Sequence, residues 1–340
     1  MSLATIRNLR NQWFPPKPQF TEKNVTSQKG KVFIVTGGNT GVGYALIKLL
    51  YGTGATIYMA SRNKEKALAA ITLLQSTTPA PSTPATLKFL HLDLSDLLSV
   101  KAAATTFASR ETRLDILWNN AAVGATKVQL GDRTAQGFEP TIGANGIGTL
   151  LFTTLLVLQL RAASASVLGG QARVVWTSSY MAEGITPTNG IDFSLLDTGT
   201  SSLVKNYAIS KAGTWILCRE FARRYGVGQA DVEGGAGIIS VIQNPGNLQT
   251  GGYDDVSALT MFFVKPLLHE AKFGAYTELF AGLAEGVENG AYVVPWGRVR
   301  PDAESPRKDI LNAMKTIEEG GLGYGKKFWE WCEGKWRPLV

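Results

Sequence analysis

Tyr207 and Lys211 stand four residues apart in the stretch NYAISKAG, residues 206–213. On a helix that spacing is about one turn, so both side chains project from one face and the ammonium can act on the phenol. A free phenol loses its proton near pH 10. A cation close by favours the phenolate and draws that value toward neutrality, which makes a tyrosine usable for proton transfer. On the surface such a pair does no chemistry. Beside a bound cofactor it is a proton donor with its tuner, and the rest of the chain has to choose between these readings.

A second stretch supplies a place for a cofactor. VFIVTGGNTGVGYALIKLL reads as a strand, a glycine turn and an amphipathic helix, with Gly37, Gly41 and Gly43 spaced G-x-x-x-G-x-G. Glycines in that setting let the backbone turn tightly and approach a pyrophosphate at the helix N-terminus. In such a unit, an acidic residue at the end of the next strand would bind the ribose hydroxyls of NAD. Here the strand ends YMASRNKEK, with Ala60 and Ser61 in place of the acid and Arg62 directly after. Arg62, joined by Lys64, offers positive charge to a 2′-phosphate, and no carboxylate is there to repel it. The expected cofactor is therefore NADP(H) in preference to NAD(H).

The elements that must position these groups show in the hydropathy pattern. From Lys31 onward, VFIVTGG, ATIYMAS, TLKFLHLDL, LDILWNN, ARVVWTSS, GIISVIQNPG and AYVVPWG alternate with helical stretches. Seven nearly continuous apolar runs predict an α/β fold of Rossmann type: a doubly wound, seven-stranded parallel sheet with helices on both faces. The expected domains are an N-terminal arm over 1–29 with one short helix, a catalytic domain over 30–297, and a helical extension over 298–340 whose aromatic residues cap the core or a partner. Two long connections follow strands and belong at the carboxyl edge of the sheet, where ligands bind in open α/β folds. One runs from Ser179 to Tyr207. The other includes a lid region over 251–285, whose Leu259, Met261, Phe262, Phe263 and Val264 suit a bulky, largely apolar substrate.

Composition narrows the function classes. The chain has 340 residues, 44% hydrophobic and 18% charged, with a formal net charge of +7 and no basic run longer than two residues. This favours anionic small ligands and gives no nucleic-acid face. Cys218 and Cys332 are the only cysteines, without metal-ligand spacing, so a reducing, cytoplasmic setting and no metal are expected. The most apolar run, Leu150 to Leu160, is too short to span a bilayer and reads as a buried helix.

Taken in order, the motifs TGGNTGVG, HLDLSD, NNAA, GANGIG, VVWTSS, YAISK and NPGNLQT resemble the classical short-chain dehydrogenase/reductases, near their retinol-dehydrogenase-like, fungal oxidoreductase branch. The resemblance covers about Lys31 to Gly297. It implies a carbonyl/alcohol oxidoreductase with Asn145, Ser179, Tyr207 and Lys211 as catalytic residues: Asn145 holding a relay water, Ser179 hydrogen-bonding the substrate carbonyl, Tyr207 transferring the proton and Lys211 tuning it. It further implies a cofactor lined by Gly37, Asn39, Thr40, Gly41, Val42, Gly43, Arg62, Asp93, Leu94, Asn120, Ala121, Tyr207, Lys211, Pro245, Gly246, Asn247, Leu248 and Thr250. Within that set Asp93 contacts the adenine, Asn120 braces the sheet and Thr250 orients the nicotinamide amide. Two departures are Ala122, where the family has glycine, and the long interval from Ser179 to Tyr207. Homodimers and homotetramers are common in the family, secondary metabolism is an expected setting, and the competing reading is a catalytically silent dinucleotide-binding regulatory or scaffolding protein.

Overall fold

The computed structural model describes residues 3–78, 81–165, 171–227, 237–249 and 268–339. Eight strands form one sheet: β1 Val32–Thr36, β2 Thr56–Ser61, β3 Thr86–His91, β4 Ile116–Asn119, β5 Arg173–Thr177, β6 Ile239–Gln243, β7 Tyr292–Val294 and β8 Arg298–Arg300. Their spatial order is β3-β2-β1-β4-β5-β6-β7-β8. The seven expected runs become β1 to β7 and pair in parallel. The count of seven is corrected by β8, which pairs antiparallel with β7 as a hairpin edge. Arg298–Arg300 holds only three residues, too few for its alternation to register as a strand in sequence. The extension placed at 298–340 therefore opens with a sheet strand.

Side chains of alternate parity leave each strand on opposite faces. Val32 and Ile34 enter one buried cluster, while Phe33 and Val35 enter the other. The first cluster includes the 23-residue helix Leu203–Tyr225, which carries Tyr207 and Lys211. The second includes the helix Ala271–Leu283. Of the region 251–285 expected as a lid, residues 271–283 form this helix, whose Ala275, Tyr276, Leu279 and Ala281 are buried against the sheet face opposite the catalytic helix. The lid's Leu259, Met261, Phe262, Phe263 and Val264, and with them Thr250, lie outside the described residues.

The apolar run Leu150 to Leu160 is split between helices Thr149–Leu155 and Val157–Ser164, and the helical stretch Pro140–Leu155 meets the latter at a bend of 53°. Leu150, Leu151, Phe152, Leu156 and Leu160 are buried in the first cluster. No single described helix is long and apolar enough to cross a membrane.

The C-terminal helix Tyr324–Trp336 buries Phe328, Trp329, Cys332 and Trp336 in the same core as the catalytic helix. A Cβ on Gly213 would stand 2.8 Å from Phe328, and one on Gly146 would stand 3.7 Å from the same ring. One ring thus backs both the catalytic helix, two residues past Lys211, and the turn that carries Asn145. Phe328→Ala is expected to cost about 3–5 kcal/mol of folding free energy, read from the shift of the urea unfolding midpoint at constant m-value.

Candidate active site

The glycine turn follows β1 directly. Gly37 and Gly41 adopt left-handed backbone, φ 66° and 56°, a conformation in which a Cβ is strained. A Cβ on Gly43 would lie 2.6 Å from both Asn120 Nδ2 and the Gly37 carbonyl oxygen. The turn is therefore closed tightly on the end of β4. Asn120 Nδ2 donates to the Thr36 carbonyl at 2.8 Å, and the Ala121 N–H donates to Thr36 Oγ1 at 2.9 Å. Thr36 Oγ1 in turn donates to the Trp118 carbonyl at 3.2 Å. These bonds staple β1 to β4, where the strand order reverses and an open α/β sheet leaves its ligand crevice. Ala122 does not have positive φ, so the missing glycine costs nothing there.

Several of the residues expected to line a dinucleotide lie around this crevice. Thr40 caps the helix Gly41–Leu50 in extended backbone, with its side chain not spent on the cap. Val42, Pro245 and Leu248 converge on Gly274, where an added Cβ would meet each of them within 3.4 Å. Gly246 has φ 90°. Asp93 Oδ1 accepts from the Ser95 N–H at 2.9 Å, and the Leu94 carbonyl approaches within 2.2 Å of where a Gly148 Cβ would stand. That contact explains the last glycine of GANGIG, whose residues Gly143–Gly148 form a π-helical turn.

At the end of β2 the Ser61 hydroxyl is buried without a hydrogen-bond partner, and Arg62 beside it is exposed with no ion pair among the described residues. A buried hydroxyl left unpaired is costly. A ligand hydroxyl or phosphate reaching this strand end would satisfy it, so the residues present fit a dinucleotide.

The catalytic candidates meet at the ends of β4 and β5. Lys211 is 2% exposed, and its Nζ donates to the Thr177 carbonyl at 2.7 Å. Burial pulls its pKa down to about 8, with Glu278 acting in the opposite sense. The ammonium lies 5.7 Å from the centre of the Tyr207 ring. Ser178 Oγ donates to the Lys211 carbonyl, leaving Ser179 as the half-buried serine at the strand end, where its Oγ accepts from the Met181 N–H at 3.2 Å. Asn145 is 2% exposed. Its Oδ1 accepts from the Val123 N–H at 2.8 Å, and its Nδ2 donates to the Val123 carbonyl and to Ser210 Oγ, each at 3.0 Å.

Sequence reasoning missed a layer of supporting residues. The helix Leu3–Trp13 is not an idle arm. Gln12 Nε2 donates to Asn247 Oδ1 at 2.5 Å, and Asn244 Nδ2 donates to Gln12 Oε1 at 2.8 Å. Asn8 Nδ2 donates to Glu183 Oε2 at 3.2 Å. Glu183, four residues past Ser179, forms a buried bidentate pair with Arg300 of β8 at 2.9 and 2.7 Å. The N-terminal helix thus ties the loop after β5 to the loop after β6. Nothing in MSLATIRNLRNQW marks Asn8 or Gln12, because an amide on a polar helix reads the same whether water or a distant loop receives it. Glu278 was missed as well, although a carboxylate inside AYTELFAGL is a visible anomaly.

Residues 31–189 match the family described as short chain dehydrogenase. A short-chain dehydrogenase/reductase of Pestalotiopsis fici, iacJ, is 46% identical over 99% of this chain and 100% of its own length. One from Phomopsis amygdali is 39% identical over 99% of each chain. The chain belongs to the short-chain dehydrogenase/reductases. It is accordingly an oxidoreductase of a family that uses NAD(P). A solved structure, the Pseudomonas aeruginosa RhlG/NADP active-site complex, shares the fold with a TM-score of 0.58 at 21% identity, over 78% of this chain and 94% of that one.

The close approach at Gly43 gives a direct test of the crevice in this short-chain dehydrogenase/reductase. Gly43→Ala is expected to retain its circular dichroism and to weaken dinucleotide binding by about fivefold or more, because an overpacked methyl group costs about 1–3 kcal/mol. Fluorescence titration of the variant with NADPH measures it.

Proposed function

We propose that this enzyme interconverts a carbonyl and an alcohol with NADP(H), using Tyr207, Lys211, Ser179 and Asn145. The observation that carries the reading is the Lys211 ammonium, enclosed at the end of β5, held by the Thr177 carbonyl and lying close to the Tyr207 ring. A bound nicotinamide supplies or receives the hydride. In reduction, Tyr207 gives its phenolic proton to the alkoxide oxygen as it develops, and Ser179 donates a hydrogen bond to the same oxygen. With a pKa of about 8, Lys211 is mostly cationic at pH 7 and stabilises the phenolate left behind. Asn145 spends both amide hydrogens on Val123 and Ser210, which leaves a relay water the second lone pair of Oδ1.

The preference for NADP(H) is supported by Arg62 and Lys64 with no carboxylate at the end of β2, and by the idle hydroxyl of Ser61. Asp93 is placed at the adenine, and Thr250 at the nicotinamide amide on the resemblance alone. A bulky, largely apolar substrate of secondary metabolism is supported by the sequence of Leu259, Met261, Phe262, Phe263 and Val264. The free, buried thiols of Cys218 and Cys332 fit a reducing cytoplasm.

Two measurements test this reading. Tyr207→Phe is expected to bind NADPH as the wild type does and to lose nearly all turnover on a panel of ketones and aldehydes, since only the transferable proton is removed. Undiminished turnover would refute the mechanism. Arg62→Ala is expected to lose about 1.5–3 kcal/mol of NADPH affinity, the range for hydrogen bonds to charged groups, while NADH affinity stays unchanged in isothermal titration. Equal affinity of the wild type for both cofactors would overturn the NADP assignment.

A further inference from the structure

Glu278 sits on the helix Ala271–Leu283, on the opposite face of the sheet from the catalytic helix, and is 0% exposed. Its Oε1 accepts from Thr177 Oγ1 at 2.7 Å and from Gln243 Nε2 at 2.8 Å. The Gln243 amide also donates to Thr177 Oγ1 at 2.9 Å. Thr177 is the residue whose carbonyl holds the Lys211 ammonium. A single residue at the end of β5 therefore touches the carboxyl group of Glu278 through its hydroxyl and the ammonium of Lys211 through its backbone.

A neutral amide would serve the two donors equally well, since both bonds fall on one oxygen. The second oxygen, Oε2, is buried with no hydrogen-bond partner. A buried carboxylate costs far more than a buried amide unless an opposite charge offsets it. The surroundings show where that charge lies. On the same helix, Lys272 and Tyr276 engage Glu22. From the elements packed against it, Lys48 is exposed, Arg173 donates to the Ala281 carbonyl nearer the helix's far end, and Tyr292 lies in the other core beside Arg300. Among the described residues, Lys211 is the charged group that acts on Glu278.

We propose that Glu278 is a positioning residue of the reaction: working across the sheet with Thr177, its carboxylate sets the charge state of Lys211 and through it the proton transfer of Tyr207. This rests on reading Tyr207 and Lys211 as the proton-transfer pair. The two groups respond to burial in opposite directions. Burial lifts the Glu278 carboxyl to about 7 and lowers Lys211 to about 8. Between those values both are ionised and each holds the other's charge. Replacing the carboxylate with an amide removes the negative charge, so Lys211 releases its proton at lower pH and the ammonium fails nearer neutrality.

The test uses full-length protein labelled with carbon-13 at the lysine Cε, with the Lys211 resonance identified by its loss in Lys211→Met. In the wild type this resonance is expected to titrate near pH 8, with a second inflection near pH 7 from Glu278. In Glu278→Gln the second inflection disappears and the midpoint falls by about one unit, the lower end of the effect of a close opposite charge. The alkaline limb of the pH profile of kcat for ketone reduction moves to lower pH by the same amount, with KM for NADPH little changed. A purely structural Glu278 would move stability and leave both titrations in place. Superimposable Lys211 titrations in the two proteins overturn the proposal. Should Glu278→Gln fail to fold, the wild-type curve still decides, since a single inflection near pH 8 overturns the coupling. Absence of turnover on every ketone refutes the carbonyl-reduction reading, while the lysine titration still reports on Glu278.

Discussion

The site depends on one costly arrangement, an ammonium group shut away from water at the end of a parallel strand. Lys211 is held by a hydrogen bond to the Thr177 carbonyl, and burial works against its charge. An amine in that position stays cationic only if the dipoles and charges around it are fixed in place. Backbone carbonyls at the carboxyl end of a parallel sheet are such dipoles, because each strand is held in register by its neighbours. Thr177 pairs with Gln243 of β6, and β6 pairs with β7 in turn. The sheet's central strands thus hold the Lys211 ammonium in a fixed place.

That rigidity is supplied from outside the core unit. The C-terminal helix buries three aromatic side chains and a cysteine against the catalytic helix, with Phe328 packed on Gly213. The N-terminal helix closes the opposite end, joining Asn244 and Asn247 through Gln12 and Glu183 through Asn8. Beneath it, the Arg300 guanidinium spans from Glu183 to the face of Tyr292, 4.2 Å from the ring centre. A buried ion pair adds little net stability, but removal of either partner strands a charge. Its effect is to fix where the chain after Ser179 begins. The helices Leu3–Trp13 and Tyr324–Trp336 therefore both brace the residues around the site.

Close backbone approach is the other constraint. Gly43 lies against Asn120, Gly148 against the Leu94 carbonyl, and Gly274 against Leu248 and Val42. Each contact draws together segments far apart in sequence, and each would be prised open by one methyl group. The π-helical turn at Gly143–Gly148 follows the same logic: it widens the helix where Asn145 must reach both the loop after β4 and Ser210.

The sequence by itself determined the seven parallel strands, the glycine turn and the Tyr207–Lys211 helix, because these follow from local pattern. Apolar runs bury on both faces, glycines turn, and residues four apart share a helix face. Arg62 at the end of β2 was legible in the same way. Only the tertiary structure supplied β8, the Gln12 clasp, the packing of the helix Ala271–Leu283 on the sheet, and Glu278 opposite Lys211. Those features are decided by which distant partner each residue meets, and Lys211 and Glu278 are 67 positions apart on opposite faces of one sheet. A carboxylate in an apolar stretch signals that something must offset its charge. Which cation does so depends on the strand crossings that bring β5 between them.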